Sequence, residues 1–325
     1  MNKKIIFMEK KINFNFLIKI YYLIALLITI CVLTSLIFKN TIYNKSSTLK
    51  DTDQIKKTVS NNDFSNELFF VKLPEETSSL NAIKIEEVVK TNRIPDIVFS
   101  RLPTDMRDIK SVDKRKKMFI KIVLPLIVKE NEKLISLNRK IKLLKSNFDR
   151  VTKEEATWLK SMMKSYKVDT LDNLLLKVDA IPVSLALAQA VIESGWGTSR
   201  FAYEGNALFG QYIWDSSKDG IIPNERESNA KYKIKSFNSL RESVSSYMKN
   251  LNTNHHYKEF RMNRYVLRVN NLPLDGKDLV EYLYNYSIED EYPSKIKNII
   301  EINKFDDFEN LTIEKNYIFK SNEVI

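Results

Sequence analysis

The chain has 325 residues, 43% hydrophobic and 29% charged, which is enough for one or two domains with a packed core; only 6 glycines and 8 prolines favour helices over a hairpin-rich sheet protein. Its net charge is +11, but residues 1–40 hold six lysines against one glutamate, so +5 lies there and +6 is spread over the rest, too mild an excess for a nucleic-acid-binding protein. The single cysteine, Cys31, excludes an intrachain disulfide and a thiolate metal site, and the two histidines, His255 and His256, are neighbours that point apart on a helix, so no metal cofactor is expected.

The first predicted element runs from Ile20 to Phe38, 19 residues without a charge. At 1.5 Å rise per residue that suffices to cross a hydrocarbon core of about 30 Å. Most of the nearby lysines precede it, which keeps the N-terminus in the cytoplasm and puts everything after about residue 40 outside, in the periplasm or beyond. A cleaved signal peptide would end in small residues, whereas this run ends Leu36-Ile37-Phe38-Lys39; a lipid anchor at Cys31 would have the bulky Ile30 at its junction. The expectation is a single-pass membrane anchor.

Residues 41–95 are rich in Ser, Thr, Asn, Lys and Glu with short apolar clusters such as Leu68 to Leu73, and read as a polar stalk. From residue 96 the pattern is helical. Lys114 to Lys145 carries a one-face stripe of Ile127, Leu134, Leu137, Ile141 and Leu144, with Pro125 expected to kink or split it. Thr152 and Glu155 form a capping box ahead of Trp158, Met162 and Tyr166 on one face. Pro182 opens the next helix and Gly195 closes it; later helices are predicted at 238–250, 256–269, 277–287 and 293–302. Between them, 209–237 combines Lys218-Asp219-Gly220 with an alternating Lys231 to Lys235, a small β-rich excursion.

The chemistry concentrates in SLALAQAVIESGWGTSRFAYEGNALFGQYIW, residues 184–214. Val183, Leu185, Leu187, Ala188, Ala190, Val191 and Ile192 surround their helix with apolar side chains, so it is buried. Glu193 near its end is then a carboxylate in an apolar site at the negative pole of a helix, and both effects favour the protonated acid. Glycosidic cleavage needs such a proton donor. The competing reading is a glutamate turned to solvent at a frayed end. Trp196, Phe201, Tyr203, Phe209, Tyr212 and Trp214 follow within 21 residues, and aromatic faces are what sugar rings stack on. By position Phe201 and Phe209 read as core.

The segments 101–127, 178–187, 186–211, 248–253 and 286–300 resemble the glucosaminidases of glycoside hydrolase family 73, with ESGWGTS followed by NALFG as the specific signature and about residues 95–305 covered. The resemblance implies a mainly α, lysozyme-like helical domain with a small β-lobe, and cleavage of the β-1,4 bond after N-acetylglucosamine in peptidoglycan. It implies Glu193 as the catalytic acid. It also carries Asn206, Phe209, Gly210, Tyr286 and Tyr292 over as site residues, beside the Trp196, Tyr212 and Trp214 aromatics. A second carboxylate in the β-lobe would be Glu225 or Glu227, with Asp219 behind them; without one, the substrate's own acetamido oxygen would attack, oriented by Tyr286 or Tyr292. The chain departs from its relatives after NLNT, where Asn254, His255 and His256 replace a proline, which places the histidines outside catalysis.

The resulting division is 1–40 basic tip and anchor, 41–95 stalk, 96–180 a preceding helical region, 181–305 catalytic core and 306–325 tail. Two other functions compete. A lytic transglycosylase uses one glutamate but follows it with Gly-Leu-Met-Gln, unlike Asn206-Ala-Leu-Phe-Gly; a non-catalytic glycan-binding scaffold would have no use for Glu193.

Overall fold

The computed structural model describes residues 83–214, 218–224, 231–287 and 289–314, all within a compact unit that begins at Lys72. The apolar run 20–38 and Glu225 and Glu227 lie outside the described residues. Among the described residues no helix is long and apolar enough to cross a membrane.

The domain is mainly helical with two small sheets. In chain order it comprises α1 (Ile85–Thr91), β1 (Arg93–Pro95), α2 (Val112–Ser146), α3 (Lys153–Tyr166), α4 (Leu171–Lys177), α5 (Val183–Ser194), α6 (Arg200–Gly205), β2 (Tyr212–Ile213), β3 (Gly220–Ile221), β4 (Lys233–Lys235), α7 (Leu240–Thr253), α8 (Lys258–Val269), α9 (Gly276–Leu279), α10 (Tyr292–Ile302) and β5 (Thr312–Glu314). The β-rich excursion is an antiparallel sheet of order β2-β4-β3, with Tyr212 opposite Ile234 and Gly220 opposite Lys235.

α5 is the central element, packed against α2, α10 and the 3-10 turn Phe305–Phe308. Its residues Val183 to Val191 are all buried, as its all-round apolar sequence requires. Pro182 leaves its first amides without a local cap, and a distant side chain supplies one: the Glu309 carboxylate accepts from Val183 N at 2.9 Å and Ser184 N at 3.1 Å. The opposite end closes on Gly195 in the left-handed region, whose N–H returns to Val191 O.

The predicted capping box is present: Thr152 Oγ1 accepts from Glu155 N at 3.2 Å, and Glu155 Oε2 accepts from Thr152 N at 3.0 Å. Pro125 does not split its helix, because α2 runs unbroken through it for 35 residues. A proline inside a helix costs about 3 kcal/mol, and burial of Phe119, Ile122, Val123, Leu124, Leu126, Ile127 and Val128 around it offsets that cost.

The domain also begins before residue 96 and extends past 305. β1 pairs in parallel with β5, Ile94 opposite Ile313, and Ile83, Val88 and Ile94 are buried. Three-residue strands more than 200 positions apart leave no periodicity to read, which is why 83–95 look like stalk and 306–314 like tail. The predicted helix 277–287 is instead the short α9 followed by a 3-10 turn, Val280–Leu283.

One buried cation fastens the approach to α5. Arg264 is fully buried and donates to Asp179 O, Ala180 O, Leu176 O and Asn252 Oδ1 at 2.8–3.2 Å. Asp179 in turn receives both arms of Arg268, at 3.0 and 3.1 Å. Removing the Arg264 side chain would leave buried carbonyls and the Asn252 amide oxygen without their donor, so α4, α7 and α8 hold the residues before Pro182 in place.

Candidate active site

Glu193 sits in the last turn of α5, where the chain reverses sharply. Gly195, Trp196 and Gly197 all have positive φ, at 57°, 58° and 78°. Gly197 has no space for a side chain, since a Cβ there would stand 3.0 Å from Leu102 Cδ1 and 3.1 Å from Phe119 Cδ2. Ser194 Oγ locks the turn by accepting from Gly197 N at 3.0 Å. The ESGWGTS signature is therefore the backbone device that ends a buried helix within two residues of its acid.

Of the NALFG segment, Phe209 and Gly210 reach the cleft beside Glu193. Asn206 ends α6 in the left-handed region and its Nδ2 donates to Phe237 O at 2.9 Å, tying the loop to the strand side. Phe209 stacks on Tyr247 with centroids 3.8 Å apart and planes within 7°. Gly210, at φ +56°, comes so close to the acid that a Cβ there would lie 3.4 Å from Glu193 Oε2.

A hydrogen-bond chain holds the carboxyl. Tyr247 Oη donates to Gln189 Oε1 at 2.6 Å, Gln189 Nε2 donates to Tyr292 Oη at 3.0 Å, and Tyr292 Oη donates to Glu193 Oε1 at 3.1 Å. Gln189 is fully buried one helical turn before Glu193, so it faces the same side of α5. Because the amide fixes the direction of this chain, Oε1 accepts, and the acid's own proton belongs on Oε2, beside Gly210. Burial pushes the Glu193 carboxyl up to about 7; the Tyr292 hydrogen bond pulls against this and the nearby Glu289 charge adds to it. Burial also raises Tyr292, Tyr286 and Tyr247, with the Glu193 charge adding to each, so the donor to Oε1 stays protonated.

These groups open into a cleft of about 720 Å³ whose walls include Glu193, Gly210, Trp214, Asn250, Tyr257 and Tyr286. Tyr286 stacks on Tyr292 at 5.5 Å and 19°. At the mouth, Tyr212 and Trp214 are 56% and 70% exposed, and Tyr212 rests edge-on against Tyr232 at 5.0 Å. Exposed aromatic faces beside a half-buried acid suit a sugar chain.

The sequence-predicted residues thus divide. Glu193, Phe209, Tyr212, Trp214 and Tyr286 line the cleft, and Tyr292 reaches it through its bond to the acid. Trp196 is not brought there. It lies edge-on to Phe119 and Phe305 at 5.8 and 6.3 Å, with the Lys116 ammonium 4.8 Å over its ring, and it fastens the turn to the core. Asn206 is buried in the loop and likewise does not line the cleft. Asp219 is exposed in the β-lobe and does not line it either; among the described residues Glu193 is the one carboxylate that does. Gln189 and Tyr247 escaped the sequence reading. The only signal for Gln189 was one amide in an otherwise apolar helix, four positions before the acid.

A family model described as mannosyl-glycoprotein endo-beta-N-acetylglucosaminidase matches residues 170–305. Protein bax of Escherichia coli (strain K12) is 35% identical over 199 residues, which are 58% of this chain and 69% of bax. The crystal structure of the catalytic domain of the autolysin Auto from Listeria monocytogenes is 19% identical, covering 51% of this chain and 97% of that one, with a TM-score of 0.31.

Proposed function

Because the chain belongs to the glucosaminidase family that includes Escherichia coli protein bax, we propose that it is a peptidoglycan hydrolase that cleaves the β-1,4 bond after N-acetylglucosamine, with Glu193 as general acid. The observation that carries this reading is a carboxyl held up to about 7 by burial, at the base of an aromatic cleft. We read the domain as lysozyme-like: a buried helix delivers the acid, and the sheet β2-β4-β3 forms the lobe beside the cleft.

In this mechanism Glu193 Oε2 gives its proton to the glycosidic oxygen as the bond to the anomeric carbon breaks. Oε1 stays tied to Tyr292, so the carboxylate left behind is stabilised where it forms. A water or the substrate's acetamido oxygen then closes on the anomeric carbon. Tyr212 and Trp214 hold sugar faces at the mouth. Purified peptidoglycan incubated with the chain should lose turbidity and gain reducing sugar; a suspension that keeps both values would contradict the assignment.

The same reading places the domain outside the cytoplasmic membrane, held by residues 20–38. The support is the length of the apolar run and its basic N-terminal flank. After carbonate extraction the protein is expected to stay with the membrane fraction and keep residues 20–38. N-terminal sequencing that finds a soluble form beginning after residue 38 would show a cleaved signal.

A further inference from the structure

The acid's cleft does not end at the sugars. It meets a second cavity of about 580 Å³ along a shared wall made by Lys235, Ser246 and Lys249. Lys235 Nζ donates to Ser246 Oγ at 3.2 Å and lies 4.7 Å from the Phe237 ring centroid. Lys249 Nζ donates to Ser165 Oγ at 2.9 Å and lies 3.0 Å from the Tyr166 centroid. The partners of both ammoniums are thus neutral hydroxyls and aromatic faces, and among the described residues neither has a carboxylate within ion-pair distance.

The acids of the second cavity are already committed. Glu130 is held by Lys133 at 3.1 Å and Ser245 at 2.9 Å. Glu242 accepts from Asn238 N at 3.1 Å at the start of α7, and its charge acts on Lys235 without reaching ion-pair distance. Burial, then the charges of Lys133 and Lys177, hold the Lys249 ammonium down to about 8. Two half-buried cations flanked by hydroxyl donors, on a wall that continues the catalytic cleft, are the chemistry of an anion site.

We propose that Lys235 and Lys249 form a carboxylate subsite beside the sugar cleft, which takes an acidic group of the peptide carried by the sugar next to the scissile bond. The inference rests on the peptidoglycan reading above: where the peptide is attached, the lactyl carboxyl of the muramic acid is consumed in the amide to it, and the acidic groups of the peptide are the anions nearest the cut. The subsite selects peptide-bearing strands over bare glycan.

The test uses the full chain on three preparations: peptide-bearing strands, strands stripped of peptide by an amidase with the lactyl carboxyl that this frees converted to its neutral amide, and peptide-bearing strands freed of polymer phosphate by hydrofluoric acid. The wild type is expected to show a kcat/KM about tenfold higher on both peptide-bearing preparations than on stripped strands, the worth of one charge-assisted bond. Lys249→Met and Lys235→Met should bring that ratio towards one, and Lys249→Arg, which keeps the charge, should preserve it. A ratio that survives both methionine variants overturns the subsite, as does a wild type without preference. A preference lost on phosphate removal overturns the carboxylate assignment in favour of a phosphate ligand. A wild type that cleaves none of the three preparations overturns the peptidoglycan reading, and the ligand assigned here with it.

Discussion

Glu193→Gln is expected to lower kcat by about 10²–10⁴-fold, the usual contribution of a general acid, with little change in KM. The amide is nearly isosteric, still accepts from Tyr292 Oη through its own oxygen, and has no acidic proton to give. The same substitution should change stability in a pH-dependent way. The carboxyl is raised from 4.5 to about 7 in the folded protein, so the folded state favours the protonated acid. That contribution is fully present below pH 4.5 and is lost as pH rises through 7. Glutamine removes the penalty of ionising in place. Thermal melts should therefore show the variant similar to wild type near pH 4 and more stable at pH 8, by about 1–3 kcal/mol. Activity of the wild type should fall above pH 7 as the acid ionises. A variant with activity within a few-fold of wild type, or one equally stabilised at both pH values, would remove Glu193 from the role.

The second large effect concerns the step after protonation. With a carboxylate of the β-lobe as the base that activates water, one of Glu225→Gln and Glu227→Gln is expected to lower kcat by about 10²–10⁴-fold. Asp219→Asn should leave turnover near wild type, since Asp219 is exposed and off the cleft wall. A substrate whose acetamido oxygen is replaced by sulfur should then be cleaved normally. Two mild glutamate variants together with slow turnover of the thio-substrate would contradict a lobe base and assign the attack to the acetamido group. Tyr286 on the cleft wall, stacked on Tyr292, would then be the residue placed to orient it.

Much of this site was legible because its signals are local. The all-apolar run before Glu193, the two glycines after it and the capping box at Thr152 each act within one helical turn, and periodicity reports such features directly. The β-lobe was legible for the same reason, from Asp219-Gly220 and the alternation that follows. What escaped depends on distant pairing. The α5 cap comes from Glu309, more than 100 residues away, and the parallel pair β1–β5 joins two three-residue strands. Trp196 shows the limit of residue type as a guide. An aromatic three positions after Glu193 looks like a sugar platform, but Trp196 is itself part of the left-handed turn with Gly195 and Gly197, which swings it onto Phe119 and Phe305. Gln189 and Tyr247 are spread over α5 and α7, and only their assembly in space shows that they set the direction of the proton at Glu193.

The central claim is hydrolysis on the reducing side of N-acetylglucosamine. The direct measurement is borohydride reduction of the products from a complete digest of purified peptidoglycan, followed by mass spectrometry of the sugar ends. Hydrolysis by Glu193 predicts products ending in reduced N-acetylglucosamine, formed by the wild type and absent with Glu193→Gln. Products ending in reduced muramic acid, or in the non-reducible 1,6-anhydro sugar of a lytic transglycosylase, would contradict it.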